Sequence, residues 1–163
     1  MQSPNGYSAL QIRLHWIVAA LIVLQYLGKE PISDSWDAYL AGSTLKFNPL
    51  VAAHVAGGLL ILVLVGWRLA ARITRSVPPP PEQEALPLRI IAKVTHGLLY
   101  VILIAMPITG AVAWFGGVGQ AANAHNVIKV ALVFFIGLHV VGALFHHFVL
   151  KSNVLFRMWR PQA

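Results

Sequence analysis

The chain has 163 residues, of which 58% are hydrophobic and 10% charged; soluble domains average about 25% charged residues, so the composition indicates one membrane domain. The basic balance, 12 Lys and Arg against 5 Asp and Glu, does not indicate nucleic-acid binding, because most of these bases flank apolar runs. With no cysteine in the sequence, disulfides, iron–sulfur clusters and covalently attached c-type haem are excluded.

The first apolar run covers residues 10–28 and predicts a membrane helix. A secretory signal peptide is the alternative interpretation of this run. The run is long for such a signal, it contains His15, Trp16 and Gln25, and no clear small-residue cleavage site follows it. Residues 29–49 are then expected to form a polar loop.

Three further apolar runs predict helices at residues 50–71, 88–115 and 122–150. The first two of these are separated by residues 76–87, where four consecutive prolines cannot continue a helix and indicate an extended connector. Pro107 lies inside the run at 88–115 and is expected to kink that helix, which membrane bundles tolerate. A short turn joins the last two helices.

Each of the four runs is long enough to cross a hydrocarbon core of about 30 Å. The predicted fold is an all-α membrane protein in which residues 1–163 form a single four-transmembrane-helix bundle. One side of the membrane would carry most of the bases: Arg13, Arg68, Arg72, Arg75, Arg89, Lys93, Lys151, Arg157 and Arg160. The other side would carry Lys29, Lys46 and Lys129. The positive-inside rule therefore places both termini in the cytoplasm.

The fourth run holds two histidines, His125 and His139, that are 14 residues apart. On a helix, 14 steps return to within about 40° of the same face and advance roughly 21 Å along the axis. One helix therefore presents two imidazoles on one face, one near each side of the membrane. Imidazole is a good ligand for haem iron, and polar groups at membrane depth are costly and usually functional. The spacing is what a helix needs to ligate two b-type haems stacked across a bilayer.

The predicted topology supplies a partner for each of these histidines. His15 would lie at the level of His139 and bind an inner haem with it, and His54 would lie at the level of His125 and bind an outer haem. Ordinary core histidines bonded to backbone are one alternative. A zinc, copper or nickel ion is another. Each pair, however, offers only two ligands with no carboxylate or thiolate nearby, and two axial positions are what a haem leaves for protein.

Several basic residues could pair with haem propionates. Arg13, Arg68 and Arg72 fall on the side of the inner haem, where positive-inside anchoring also explains them. Lys129 lies one turn after His125, just inside an apolar run on the side poor in bases, and is the candidate for the outer haem.

His96 and His146 are candidates for a quinone site on the cytoplasmic side, within reach of the inner haem. A quinone site needs a group that gives and takes protons near neutral pH, and imidazole does so. Interfacial histidines hydrogen-bonded to water are the alternative. His146 could also replace His139 as the ligand, but this would break the 14-residue spacing.

The sequence resembles the bacterial cytochrome b561 family over nearly its whole length. The resemblance is carried by LQIRLHW around His15, AHVAGGLLILVLVGWRLAAR after His54, THGLLYVILIAMPITG at His96 and IGLHVVGALFHHFVLKSNVLFRM at His139. It implies two haem b groups held by histidine pairs from helices one and four and from helices two and four, in the bacterial inner membrane. One branch of the family is a superoxide oxidase, and the HH-x₄-SN segment of the tail is similar to that branch.

We therefore expect an electron-transport enzyme that takes electrons from superoxide at the outer face and passes them through both haems to ubiquinone. The first outer loop is not basic, so Lys129 is the only obvious attractor for an anion there. A membrane-anchor subunit that passes electrons between quinone and a separate dehydrogenase or c-type cytochrome is the alternative. A transporter or pore with buried histidines is a third class, and it would show no Soret band.

Overall fold

A computed structural model describes residues 6–75, 77–81 and 84–161, and this part of the chain is helical with no strand. It contains five α-helices and one short 3₁₀ helix. In chain order these are α1 Ala9–Leu27, α2 Glu30–Leu40, α3 Pro49–Thr74, α4 Leu86–Gly116, α5 Gly119–Phe148 and the 3₁₀ helix Phe156–Met158. The predicted all-α fold is confirmed, and the four long helices begin and end within a few residues of the predicted bounds.

Local signals set the starts of the first and third helices. Ser8 caps α1 because its hydroxyl accepts from the backbone N–H of Gln11, whose side chain reaches back to the backbone of Ser8. Asn48 caps α3, since its side chain accepts from the N–H of Leu50 at 2.9 Å. Pro49 follows in the first helical position, where its missing N–H costs nothing.

The prediction of a polar loop over residues 29–49 is wrong for Glu30–Leu40, which forms α2. Pro31 and the acidic Glu30 stand in its first turn, where both favour helix initiation. Ile32 and Trp36 are four residues apart and so lie on one face. This short amphipathic helix packs against α3. Its low overall hydropathy concealed it among loop residues.

The end of α2 also contacts the turn between α4 and α5. Gly117 ends α4 in the left-handed region, with φ of +65°, a conformation that glycine adopts at no steric cost. A Cβ added at Gly117 would collide with the hydroxyl of Tyr39. Gly117 is therefore required both by the backbone turn and by the close approach of α2.

The four long helices, α1, α3, α4 and α5, are long and apolar enough to cross a membrane. Along the bundle α1 packs on α3, α3 on α4 and α4 on α5. A small buried cluster fills the centre: Val18, Ile61, Val65, Ile102, Leu103 and Leu132.

Large apolar side chains also cover the outside of the bundle. On α5, Val127, Val130 and Phe134 are 71%, 68% and 65% exposed. In water such a continuous apolar surface would promote aggregation, whereas in lipid it is the expected exterior. The chain is a multi-pass membrane protein, and the predicted four-helix transmembrane bundle is confirmed.

The C-terminal segment returns to the start of α1. The indole N–H of Trp16 donates to the carbonyl of Met158 at 2.8 Å, and the rings of Trp16 and Trp159 lie 4.7 Å apart. We call this the terminal end of the bundle, and the opposite end, where α2 lies, the distal end. Arg157 also donates to the carbonyl of Pro79 at 2.8 Å, which ties the connector to this end.

The connector predicted at residues 76–87 is partly described. Residues 77–81 have no regular secondary structure, and α4 begins at Leu86. Residues 76, 82 and 83 lie outside the described part of the chain.

Candidate haem sites

Two of the predicted histidines line one cavity at the distal end. His54 lies in the second turn of α3 and His125 in the second turn of α5, and the cavity between the helices has a volume of about 620 Å³. Cofactor sites typically occupy roughly 300–1,000 Å³. Ile32 and Trp36 of α2 form part of the same wall. The structure thus brings His54 and His125, which the predicted topology places at one level, to the same cavity.

The His125 ring is held by the backbone of α4. Its Nδ1 lies 2.9 Å from the carbonyl oxygen of Met106, and because a carbonyl only accepts, Nδ1 must carry the ring proton. Nε2 then keeps its lone pair and is free to bind a metal. A Cβ added at Gly110 would lie 3.1 Å from two ring atoms of His125. The glycine therefore allows the imidazole to pack closely against α4.

The His54 ring is held differently. Its Nδ1 is buried and has no hydrogen-bond partner among the described residues. The side chain of Gln25 on α1 reaches the same turn, with Nε2 donating to the backbone carbonyl of His54 at 3.0 Å. The other end of that amide, Oε1, is also buried and without a described partner. Two unsatisfied polar atoms therefore lie in the wall of the distal site.

Charged side chains also line the distal cavity. Lys129 belongs to the wall and donates to the side chain of Asn126 at 3.0 Å. Lys29, the residue directly before α2, also belongs to the wall. Its ammonium lies 4.7 Å from the Tyr26 ring centroid. Asp37 is the acidic residue of the wall. The wall thus holds a second lysine besides Lys129, which the sequence analysis had found alone, and an aspartate that offsets its charge.

At the terminal end three imidazoles form one group. The ring centroids of His15 and His139 lie 6.1 Å apart, and those of His96 and His139 lie 5.0 Å apart. Nδ1 of His96 donates to the carbonyl of Ala92 at 2.6 Å. The structure therefore brings together the predicted pair, and it adds His96 directly beside His139.

The arginines of α3 flank this group. Arg68 places Nη2 2.8 Å from Nδ1 of His15, and the guanidinium groups of Arg68 and Arg72 lie 5.6 Å and 6.0 Å from the ring centroid of Tyr100. Guanidinium has only donors, so in this contact Nδ1 of His15 accepts. Arg13, the third predicted partner, is exposed at the start of α1.

His146 belongs to a separate polar group. Its Nε2 lies 3.1 Å from a carboxylate oxygen of Glu84, and its Nδ1 lies 3.2 Å from the hydroxyl of Ser152. The His146 and Glu84 side chains are 12% and 4% exposed. The two predicted quinone-site histidines therefore have different neighbours: His96 packs on His139, and His146 pairs with Glu84 of the connector.

Comparison with known proteins decides the family. The sequence model of the prokaryotic cytochrome b561 family matches residues 6–161. The chain belongs to the prokaryotic cytochrome b561 family. Cytochrome b562 of Cereibacter sphaeroides is 36% identical over 99% of this chain and 100% of its own length. A probable superoxide oxidase CybB of Yersinia pestis is 30% identical over 93% of this chain and 94% of its own length. Cytochrome b561 homolog 1 of Escherichia coli is 28% identical over 94% of this chain and 97% of its own length.

Membership of the cytochrome b561 family makes this chain a membrane haem protein of electron transport. The terminal-end geometry fits a haem iron between two imidazoles. With metal–nitrogen bonds of about 2 Å, two facing imidazoles have ring centroids roughly 6 Å apart. The 6.1 Å separation of His15 and His139 meets this value, whereas the 5.0 Å between His96 and His139 is too short. At the distal end the cavity volume and the two imidazoles of His54 and His125 in its wall fit the same kind of group.

The sequence analysis missed several polar residues near the sites of this cytochrome. Tyr7 lies just before α1, where burial raises the pKa of its phenol despite the opposing charges of Arg72 and Arg157. Gln25 was used only to argue against a signal peptide, and Glu84 only as part of the connector. Burying a glutamine in an apolar helix costs free energy unless its amide is hydrogen-bonded. The presence of Gln25 in such a helix was therefore the signal that it has a polar partner.

Proposed function

We propose that the chain is a di-haem cytochrome b that takes electrons at the distal end and delivers them to ubiquinone at the terminal end. The observation that carries this proposal is the placement of two imidazole pairs at opposite ends of one bundle. His125 and His139 lie on one helix, and their partners, His54 and His15, lie on two others. Two levels of ligands give electrons a route across the membrane.

The four histidines would hold the cofactors: His15 and His139 at the terminal end, and His54 and His125 at the distal end. Haem b supplies reversible one-electron chemistry at its iron when bound. The chain supplies the imidazole lone pairs, an apolar surrounding that excludes water, and the charges that tune each site. For His125 the backbone of α4 already fixes which nitrogen is available.

Arg68 and Arg72 are proposed as partners of the terminal-end propionates. When Nε2 of His15 acts as a ligand, Nδ1 carries the ring proton and can no longer accept from Arg68. Arg68 then needs another acceptor, and a carboxylate is the preferred partner of guanidinium. Lys129 is proposed for the distal propionates, because it lines the cavity of His125. The exposure of Arg13 favours simple positive-inside anchoring for that residue.

The terminal end is proposed to face the cytoplasm of a bacterium, since most basic residues fall there. The distal end then faces outward, with Lys29 and Lys129 in the wall of its cavity. A positive potential attracts a small anion, and superoxide is the donor we propose. The relative that is named a probable superoxide oxidase supports this choice.

The proposed reaction balances in electrons and protons. Two superoxide anions each give up one electron and leave as dioxygen. One ubiquinone takes both electrons and two protons and becomes ubiquinol. His96 is proposed to exchange protons there, because its ring packs on His139 and its Nδ1, bonded to the Ala92 carbonyl, leaves Nε2 as the nitrogen that can take up a proton. His146, paired with Glu84, is proposed as the group that passes protons from the cytoplasm.

The test is purification of the full chain, a haem-to-protein ratio and superoxide-driven reduction followed in the visible spectrum. We expect two haems per chain, reduction by superoxide that superoxide dismutase abolishes, and formation of ubiquinol. If ubiquinol reduces the haems but superoxide does not, the chain is an anchor subunit for another donor. A colourless purified protein would overturn the proposal.

A further inference from the structure

The two distal histidines differ in the hydrogen bonding of Nδ1. Nδ1 of His125 donates to the carbonyl of Met106, so its tautomer is fixed by backbone. Nδ1 of His54 is equally enclosed but has no partner among the described residues. Ligating histidines almost always donate their second ring N–H to an acceptor, because this orients the ring and raises the basicity of the bound nitrogen. His54 therefore lacks an acceptor that a ligand in this position needs.

Gln25 is a side chain on the same wall whose amide oxygen has no partner among the described residues. Its Nε2 faces the carbonyl of His54 at 3.0 Å. Since a carbonyl can only accept, the NH₂ group must be on that side and the amide oxygen on the other. That oxygen, Oε1, is buried without a described partner, and both Gln25 and His54 line the distal cavity. One buried ring nitrogen and one buried amide oxygen thus belong to residues that line the same cavity.

A glycine on α3 makes room for the Gln25 amide where α1 approaches α3. A Cβ added at Gly57 on α3 would overlap Nε2 of Gln25. Gly57 lies one turn after His54, so the glycine provides space for the carboxamide beside the turn that carries the histidine. An apolar side chain at position 25 would bury the same area but would offer neither the donor nor the acceptor.

We propose that Gln25 is a positioning residue that sets the tautomer of His54. Its Nε2 holds the backbone of His54. Its Oε1, which makes no direct bond to Nδ1 of His54, accepts the Nδ1 proton through one bridging water molecule. Nε2 of His54 then remains as the ligand nitrogen. This inference rests on the proposed role of His54 as a distal haem ligand.

The hydrogen bond has an electronic consequence at one site only. A partner that accepts from Nδ1 makes the imidazole more electron-donating, which favours the oxidised iron and lowers the reduction potential. Removing the acceptor should therefore raise the potential of the distal haem and leave that of the terminal-end haem unchanged. Loss of such an outer partner typically weakens metal binding or activity by about 10- to 100-fold, so faster loss of the distal haem is also expected.

The experiment compares Gln25→Met with Gln25→Glu in the purified full chain. Gln25→Met keeps the length of the side chain but has no strong acceptor, whereas Gln25→Glu keeps an acceptor oxygen. Potentiometric titration of both haems and the low-spin ferric EPR signals are the readouts. We expect a raised distal potential and an altered distal EPR signal in Gln25→Met, and a distal potential at or below that of the unchanged chain in Gln25→Glu.

Two further variants keep the test decisive. Leu24→Met changes a neighbouring residue that is 63% exposed and should leave both potentials unchanged. Gly57→Ala displaces the amide without removing it, and should shift the distal potential in the same direction by a smaller amount, even if Gln25→Met does not assemble.

Unchanged distal potentials in Gln25→Met and Gly57→Ala would overturn the inference. Equal shifts of both haems would do so as well, since they would show a general structural effect. Failure of the proposed function gives a different result, because His54→Ala would then keep two haems. If His54→Ala loses one haem and Gln25→Met has no effect on potential, only the role of Gln25 is rejected.

Discussion

The two ends of the bundle hold their histidines in contrasting ways. At the distal end His54 and His125 line a cavity of about 620 Å³, and His125 is oriented by a backbone carbonyl. At the terminal end His15 and His139 lie 6.1 Å apart, with His96 beside them and a guanidinium 2.8 Å from His15. The distal site is organised by backbone and one amide, and the terminal site by charged and aromatic side chains.

This contrast bears on the direction of electron flow. A cation close to a haem favours the reduced iron, because reduction lowers the positive charge of the site. Arg68 is half-buried directly beside His15, whereas Lys29 and Lys129 stand in the wall of a larger cavity. We expect the terminal-end haem to have the higher potential, which favours transfer from the distal end to the terminal end.

The largest effect is expected from removing a distal ligand. His125→Ala or His54→Ala should lower the haem-to-protein ratio from two to one, because each removes an imidazole that is proposed to hold the distal haem only. The remaining haem should keep the spectrum and potential of the terminal site. His147→Ala is the control, since its ring packs on Phe148 and Phe156 and it should retain both haems. Two haems in His125→Ala would contradict the pairing.

The crowded terminal end provides the next test. His15→Ala should lose the terminal-end haem, whereas His96→Ala should keep both haems and slow ubiquinone reduction. The reason is distance, since the 6.1 Å between the rings of His15 and His139 suits two nitrogens that bind one iron, whereas the 5.0 Å between His96 and His139 is too short. The measurements are haem content and turnover with a water-soluble quinone. Unchanged turnover in His96→Ala would remove that residue from the quinone site, and haem loss would make it a ligand.

Regular features of this molecule could be predicted because their signals are local in sequence. Continuous apolar runs indicated the four spans, and the 14-residue spacing of His125 and His139 follows from helix geometry alone. Positive-inside charge then set the depth of His15 and His54. The structure brings both pairs together, while their role as haem ligands stays a prediction.

Other features depend on contacts that no local pattern shows. Gln25 meets the carbonyl of His54, which is 29 residues away, and Arg68 meets His15, which is 53 residues away. The pairing of His146 with Glu84 crosses from the end of α5 to the connector. The helix α2 escaped prediction for a different reason, because its few apolar residues are spread through a polar segment.

Arg68 provides a test of the charge difference between the two ends. Arg68→Gln removes the cation beside His15, so the potential of the terminal-end haem should fall by about 60 mV, the equivalent of a tenfold change for one electron. The distal potential should stay constant. Arg13→Gln is the matched control, since Arg13 is exposed. Equal shifts in the two variants would show that general surface charge, and not the contact with His15, sets the potential.

The smallest effect is expected at the lysines of the distal cavity. Substituting both Lys29 and Lys129 by Ala should slow superoxide-driven reduction roughly threefold to tenfold at low ionic strength, because the two charges raise the local concentration of an anion. The loss should disappear at high salt, where these charges are already screened. Lys46→Ala removes one positive charge outside the cavity and should have little effect. If the double variant slows reduction equally at low and high salt, the lysines act through structure. Steering by the distal cavity would then have to be abandoned.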